Sequence, residues 1–387
     1  MTNKKPSLCL VSASPLTINF FFKPHLFELE KYFQLTIICD WDHLQIANFN
    51  IKNVKLISIP IKRKISLIWD IVAFTRILFY LVRHDFDIIV SVVPKAGLLT
   101  MVASLLTRVP CRVHIFQGEV WASKKGFIRF FLKHMDLITA RFATHVLAVS
   151  FSERDFLSNE GVINASKINV LGSGSISGVD INRFKFPATK KDYERVALGI
   201  PITAVVCLYL GRIVTDKGIK ELISAYGITS EVIENFWLLV AGPQEDNILL
   251  ESINLLDEDI RKKIIIRPMT DKPERYISAA DFLCLPSYRE GFGLVIIEAA
   301  AAGLPSIGTR IYGITDAIVE NETGLIVEPF DVIGLAKAMF CLAEDNELRY
   351  LLGVKAYARV ENKFNQNIVV SSYVNFFRVA CGVDRSL

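Results

Sequence analysis

The stretch from Pro286 to Pro305 concentrates residue types that could do chemistry. Glu290 and Glu298 stand in it with seven residues between them, and Gly291 and Gly293 lie in the same loop. Carboxylates accept hydrogen bonds from vicinal hydroxyls, whereas a diphosphate calls for amides and cations. A sugar nucleotide presents all of these: one Glu suits each sugar ring, and the glycines let backbone amides approach a phosphate closely. Taken alone, two acids at this spacing are also what a solvated loop and an Ala-rich helix surface would show. A second set is Arg212 and Lys217, which bracket the turn from Gly211 to Gly218. A guanidinium fork and an ammonium point charge suit a diphosphate, and without context they read as a solvated basic loop.

The elements that must position these groups are legible. Asp281 to Leu285 is an apolar run that predicts a buried strand, Ser287 to Gly293 a turn, and Leu294 to Ala302 a helix ended by Gly303 and Pro305. A helix N-terminus then sits at a strand's carboxyl end, where open α/β sheets bind ligands and free helix amides favour anions. Likewise Val205 to Leu210 predicts a strand, whose turn opens a helix at Ile219. Short Ile/Val-rich runs with helical-period segments between them recur before this point, from Leu8 to Leu171, and after it, to Val327. Such alternation implies parallel, doubly wound sheets. The expected fold is α/β with two Rossmann-like domains facing a cleft: residues 1–185, residues 186–365, and a terminal helical segment 366–387. Gly172 to Gly178 follows a strand, but Ser177 stands where the third glycine of a dinucleotide fingerprint belongs, and no opening helix follows.

Composition narrows the class. The 387 residues are 51% hydrophobic and 22% charged, and residues 1–190 hold 24 of the 44 Lys and Arg against 13 of the 40 Asp and Glu. That half carries +11 and the remainder −7. A basic half can face anionic lipid, a lipid-linked phosphate or nucleic acid; no nucleic-acid recognition motif accompanies the charge. Cys9, Cys39, Cys111, Cys207, Cys284, Cys341 and Cys381 form no C-x-x-C pair, and Cys9, Cys39, Cys207 and Cys284 fall inside apolar strand-like runs. Buried reduced thiols and a cytoplasmic location are expected. The chain enters Ser7 to Val11 with no signal-peptide pattern, and no apolar run is long enough to predict a spanning helix.

The Pro286-Ser287 strand end, the Gly291-Phe292-Gly293 turn and the Ala301-Ala302-Gly303-Leu304-Pro305 exit occur together, and Gly178-Val179-Asp180 is followed by Arg183-Phe184. In these features the chain resembles the retaining glycosyltransferases of family 4, with the GT-B fold. The resemblance covers nearly the whole chain and is strongest from Leu210 to Pro329. It implies a hexosyltransferase in which Arg212 and Lys217 hold the donor diphosphate and stabilise the departing nucleoside diphosphate, Glu290 lies against the donor sugar, and Glu298 binds the ribose. Gly211 and the amides of Phe292, Gly293 and Leu294, beside Gly291, would meet phosphate; Arg267, Pro268 and Met269 would cup the base, although many relatives have Gly where Pro268 stands. No Asp-x-Asp motif stands where it would hold a metal beside these groups, and neither a metal nor another cofactor is expected.

Two routes for the transfer stay open in the sequence: attack of the acceptor from the same face as the leaving group, or a covalent intermediate on Glu290. The family reading favours the first. Relatives carry a first-domain His before the glycine that here is Gly118, but Gln117 occupies that position and His114 lies three residues earlier. Gln117, Glu119 and His114 are therefore comparable first-domain candidates, and a His within a strand is ordinarily a core residue. The resemblance is closest to transferases that extend a sugar on undecaprenyl diphosphate in O-antigen or capsule synthesis. Val93 to Leu99 and Gly172 to Phe184 look like the stretches of enzymes that add N-acetylgalactosamine from a UDP donor. A UDP-sugar 2-epimerase of the same fold and a non-catalytic membrane-associated scaffold are the rivals.

Lys62, Arg63 and Lys64 precede the apolar run Leu67–Arg83, which Asp70 and Arg76 interrupt; Trp121, Phe127, Phe130 and Phe131 interleave with Lys124, Lys125, Arg129 and Lys133. Basic and aromatic residues together suit helices lying on an anionic membrane surface. The expected location is the inner face of the cell membrane, with a UDP-sugar and a lipid-linked acceptor as partners and no nucleic acid. The alternative is ordinary domain core with a solvated basic rim.

Overall fold

The computed structural model describes residues 5–382 except 43–44, 47–48, 50, 52 and 63–64; the predicted basic residues Arg63 and Lys64 lie outside the described residues. The chain forms two compact units, one running to Ser177 and resuming at Gln366, the other Gly178–Asn365. Sequence patterning puts the junction eight residues later, at 185/186, because the loop through Phe184 has no strand or helix signal of its own.

The first unit is built on seven parallel strands, β1 (Ser7–Val11), β2 (Gln34–Cys39), β3 (Val54–Ser58), β4 (Ile88–Val92), β5 (Cys111–Phe116), β6 (His145–Ala148) and β7 (Ile168–Val170), in the order β3-β2-β1-β4-β5-β6-β7. The central strands are mostly apolar because helices cover both faces; β4 is buried throughout, Ser91 included. The longer helices are α1 (Lys23–Leu29), α2 (Leu67–Arg83), α3 (Pro94–Leu106), α4 (Gly126–Phe142) and α5 (Phe151–Asn159). Helix α2 buries Ala73, Ile77 and Leu81, one residue per turn on a single face, against the sheet. At α5 the Ser150 hydroxyl accepts from the Glu153 amide at 3.2 Å, a cap that starts the helix at the end of β6.

The second unit has six parallel strands, β8 (Val205–Leu210), β9 (Phe236–Ala241), β10 (Ile264–Arg267), β11 (Phe282–Leu285), β12 (Ser306–Thr309) and β13 (Gly324–Val327), in the order β10-β9-β8-β11-β12-β13. Its main helices are α6 (Ala188–Leu198), α7 (Ile219–Ser230), α8 (Leu294–Ala301), α9 (Val332–Glu344) and α10 (Asn346–Lys363). The last helix, α11 (Gln366–Ala380), belongs to the first unit. It buries Val369, Val370, Tyr373, Val374 and Phe377 there, and the Tyr373 hydroxyl donates to the Ser175 carbonyl at 3.3 Å.

In each sheet the winding direction reverses once, between β1 and β4 and between β8 and β11. The loops leaving the carboxyl ends of those strand pairs diverge to opposite faces and leave a crevice, the general ligand position in open α/β sheets. The β8 and β11 loops are the two stretches singled out by their chemistry.

Candidate active site

Two loops at the β8/β11 reversal build the site in the second unit. After β8 the chain turns through Gly211 and Arg212 to a single 3₁₀ turn, Thr215–Lys217, and enters α7. Gly218, at φ +69°, joins the two; a Cβ there would sit 2.0 Å from the Pro286 carbonyl oxygen, so glycine alone lets the β11 loop lie on this turn. After β11, Pro286 to Phe292 form the second loop, and Gly293 at φ +78° starts α8. First-turn amides of such a helix have no intrahelical acceptor.

The side chains of the two loops meet. Lys217 Nζ lies 2.5 Å from Glu290 Oε1 and donates to the Arg289 carbonyl at 3.3 Å. The buried Ser287 hydroxyl donates to the same Glu290 oxygen at 3.0 Å. Thr309 at the end of β12 donates its hydroxyl to the Ser287 carbonyl, tying the loop from behind. Gly313 closes that side as well: a Cβ on it would come within 2.7 Å of the Glu290 carbonyl oxygen. Asp216 Oδ2 lies 3.1 Å from Arg289 Nη2, and its other oxygen 3.9 Å from Arg212 Nη2. Arg212 is itself 2.7 Å from Glu245 Oε2, on the loop after β9. Burial raises the Asp216 carboxyl, but Arg289, Lys217 and Arg212 outweigh it and hold the group below the usual carboxylate range.

Glu298 lies one turn into α8, partly buried. Its side chain makes no hydrogen bond among the described residues. Loss of water around it raises its carboxyl to about 7, against a pull downward from Arg183 and a push upward from Glu274. Arg183, from the Gly178–Phe184 stretch, is paired with Glu274 at 2.7 Å and so reaches the α8 side of the unit. Arg267 ends β10, the outermost strand, and Pro268 and Met269 follow it on the same carboxyl edge. Pro268 and Met269 are exposed, while the Arg267 guanidinium donates to the carbonyls of Ile266 and Leu198 at 3.0 and 3.3 Å. The structure thus brings Arg212, Lys217 and Glu290 into one network, sets Glu298 on the adjoining helix, and leaves Arg267 turned toward backbone. Asp216, Ser287, Arg289, Glu245 and Gly313 complete the network. Sequence reading gave them no role in the site, although Asp216 and Arg289 each stand beside a residue that it named.

In the first unit the candidates divide. His114 is fully buried in β5, with its Nδ1 2.8 Å from Ser91 Oγ and its ring against Gly97, where a Cβ would meet it at 2.4 Å. Desolvation lowers its value to about 3, so it is a neutral core imidazole with no atom exposed to a substrate. Gln117 and Glu119 lie past the end of β5, in the loop at the sheet's carboxyl edge, Gln117 half-buried and Glu119 buried. That loop is held by Glu153, whose carboxylate accepts from the Gly118 amide and, at 2.8 Å, from the Val149 amide. Trp121 is buried further along, donating to Asp136 at 2.7 Å.

The basic, aromatic stretches form surface. Helices α2, α3 and α4 pack side by side. Leu67 and Ile68 on α2 are 77% and 76% exposed, and Phe127 and Phe130 on α4 are 78% and 58% exposed. Arg76, Lys124 and Lys125 are exposed among them. No helix among the described residues is long and apolar enough to cross a membrane.

Comparison with known proteins agrees with this architecture. Residues 190–359 match the model of the glycosyl transferases group 1, and residues 33–174 match that of a glycosyl transferase 4-like domain. The capsular polysaccharide biosynthesis glycosyltransferase CapM of Staphylococcus aureus is 34% identical over 80% of this chain and 81% of its own length. The UDP-Gal:alpha-D-GlcNAc-diphosphoundecaprenol alpha-1,3-galactosyltransferase of Escherichia coli is 25% identical over 88% of each. Among solved structures, HepE from Anabaena in complex with UDP and glucose superposes with a TM-score of 0.79 over 97% of this chain and 100% of its own, at 17% identity. WaaG, a glycosyltransferase involved in lipopolysaccharide biosynthesis, does so with a TM-score of 0.72 over 95% and 99%, at 16% identity. With two parallel Rossmann-like sheets, a charged network at the β8/β11 reversal and a capsular relative matched over most of both chains, the protein belongs to the group 1, family 4 glycosyltransferases of GT-B fold.

Proposed function

We propose that this enzyme transfers a hexose or N-acetylhexosamine from a UDP-sugar, with retention of configuration, to a sugar linked to undecaprenyl diphosphate, in the synthesis of a surface polysaccharide. The observation that carries the reading is the meeting of Arg212, Lys217 and Glu290 at the carboxyl ends of β8 and β11. A diphosphate would take the two cations and the α8 amides, Glu298 would accept from the ribose, and Glu290 would accept from hydroxyls of the donor sugar. In the step itself the bond from the anomeric carbon to the diphosphate oxygen breaks and its electron pair stays on that oxygen. The acceptor oxygen then bonds to the same face of the carbon and gives its proton to the leaving phosphate. Arg212 and Lys217 stand where negative charge grows, so they stabilise the transition state more than the ground state. This charge complement needs no metal, and we expect a chelator to leave the rate unchanged. Gln117, half-buried past the end of β5, is the first-unit group proposed to meet the acceptor.

The capsular relative and the relative named for a diphosphoundecaprenol acceptor support the acceptor class, and a solved neighbour holding UDP supports the donor class. Within that class N-acetylgalactosamine is the sugar we favour, on the resemblance of Val93 to Leu99 and Gly172 to Phe184. The exposed apolar residues of α2 and α4, set among cations, support docking on an anionic membrane, where such an acceptor resides.

The test is UDP release on membranes bearing undecaprenyl-diphosphate-linked sugars, with a panel of UDP-hexoses and UDP-N-acetylhexosamines. Release is expected with one donor, dependent on the lipid acceptor, and reduced at least about 100-fold in Glu290→Ala. Conversion of the UDP-sugar without acceptor would instead mark an epimerase. UDP binding with no turnover across the panel would mark a scaffold.

A further inference from the structure

The network at the β8/β11 reversal contains three cations and three carboxylates, and three members have no part in the reaction as described: Asp216, Arg289 and Glu245. Asp216 occupies the centre of the turn that carries Arg212 and Lys217, and Arg289 immediately precedes Glu290. Besides the Lys217–Glu290 pair, the two segments are joined at three further places. The Tyr288 amide donates to the Asp216 carbonyl at 3.0 Å, Lys217 Nζ donates to the Arg289 carbonyl at 3.3 Å, and the Arg289 guanidinium meets the Asp216 carboxylate at 3.1 Å. The first two use main-chain oxygens and hold the loops together whatever residue stands at 289. Only the third depends on the side chain.

That contact has an electrostatic consequence. Of the three cations that act on the Asp216 carboxylate, two are guanidiniums within 4 Å, Arg289 at 3.1 Å and Arg212 at 3.9 Å, and Lys217 is held by Glu290. Hydrogen-bonding distance to the first and a longer gap to the second mean that Arg289 has taken the carboxylate. Arg212 is paired instead with Glu245 at 2.7 Å, a single partly exposed carboxylate that an arriving diphosphate would have to displace. The geometry points to Arg289 as a positioning residue that holds Asp216 off Arg212, so that the Arg212 fork stays available to the donor diphosphate. This rests on reading the network as the donor site. Without the Arg289 charge, Asp216 would swing to Arg212, its nearest remaining guanidinium, and compete with the phosphate for it. Arg289 is 16% exposed in its side chain and Asp216 28%, so solvent screens the pair only in part.

A double-mutant cycle read by UDP binding separates this role from a merely structural one. Calorimetric titration of the full chain with UDP is expected to show Arg289→Met weakened by about 10-fold, the scale of one charge-assisted contact. Arg289→Lys should remain within about 3-fold of wild type, because it keeps the charge on Asp216. The decisive variant is Arg289→Met with Asp216→Asn: removing the competitor should recover most of the lost affinity, whereas two independent structural defects would add. Should Arg289→Met fail to fold, Arg289→Leu carries the same expectation, since it likewise leaves the Asp216 carboxylate without its guanidinium partner. Affinity unchanged in the single variant, or a double variant no better than the single one, overturns the inference. Wild type that binds UDP but transfers no sugar overturns the proposed function and leaves this cycle readable; wild type that binds no UDP overturns both.

Discussion

Glu298 is a site residue whose protonation state depends on its surroundings. Burial disfavours its charge and raises it to about 7, while ribose hydroxyls are better held by the ionised form. Affinity for UDP is therefore expected to rise between about pH 6 and pH 8, and Glu298→Gln to flatten that rise; titration calorimetry on the pair of proteins reads the difference. The same shift predicts a stability effect of definite sign. A carboxyl raised above its unfolded value of about 4.3 contributes stability that is complete below that pH and is lost as pH passes through the folded value. Glu298→Gln should thus gain on wild type in denaturant midpoint as pH rises from about 5 to about 8. His114 illustrates the opposite outcome of the same physics. Burial lowers it to about 3 and removes its charge, and Gly97 above it leaves no room for a substrate.

Helices α2 and α4 set the next scale. Each turns a narrow face to the sheet, Ala73, Ile77 and Leu81 in one and Asp136, Thr139 and Ala140 in the other, and exposes large apolar side chains on the rest. Transfer of an exposed aromatic side chain from water to an apolar phase contributes about 1.5–3 kcal/mol. Replacing Phe127 and Phe130 together by serine should therefore weaken binding to vesicles of anionic lipid by at least about 10-fold, without loss of the folded state. Sedimentation with vesicles checks it, and equal binding by the variant would remove α4 from the docking surface. The period of these helices was readable in the sequence. Their exposure was not, because α2 buries three of its many apolar residues and composition cannot say which face meets the sheet.

At the scale of the molecule, α11 links the end of the chain to the unit where the chain began. Its five buried side chains, at about 1.5–3 kcal/mol each by transfer, together match the stability of a whole domain. A chain ending at Asn365 should lose the thermal transition of the first unit, while UDP still stabilises the second, whose strands, helices and charged network all lie within Gly178–Asn365. Differential scanning calorimetry with and without UDP reads both parts. Survival of the first unit in the truncated chain would show that α11 is dispensable to its core.

What the sequence determined by itself is what short-range patterning can carry. The alternation of β8, α7, β9 and their successors, the positive-φ glycines Gly218 and Gly293, and the placing of Arg212, Lys217, Glu290 and Glu298 at strand ends and helix starts all follow from the order of residue types over a few turns. Only the tertiary structure decided which of those groups touch. Lys217 and Glu290 are 73 positions apart and meet because β11 pairs with β8 rather than with its sequence neighbour β10. The Asp216–Arg289 pair, the support of Ser287 by Thr309 and the wedge of Gly313 under the Glu290 loop depend on the same strand order. Local propensity acts over one element, whereas charges, close contacts and burial act between elements that the sheet brings together.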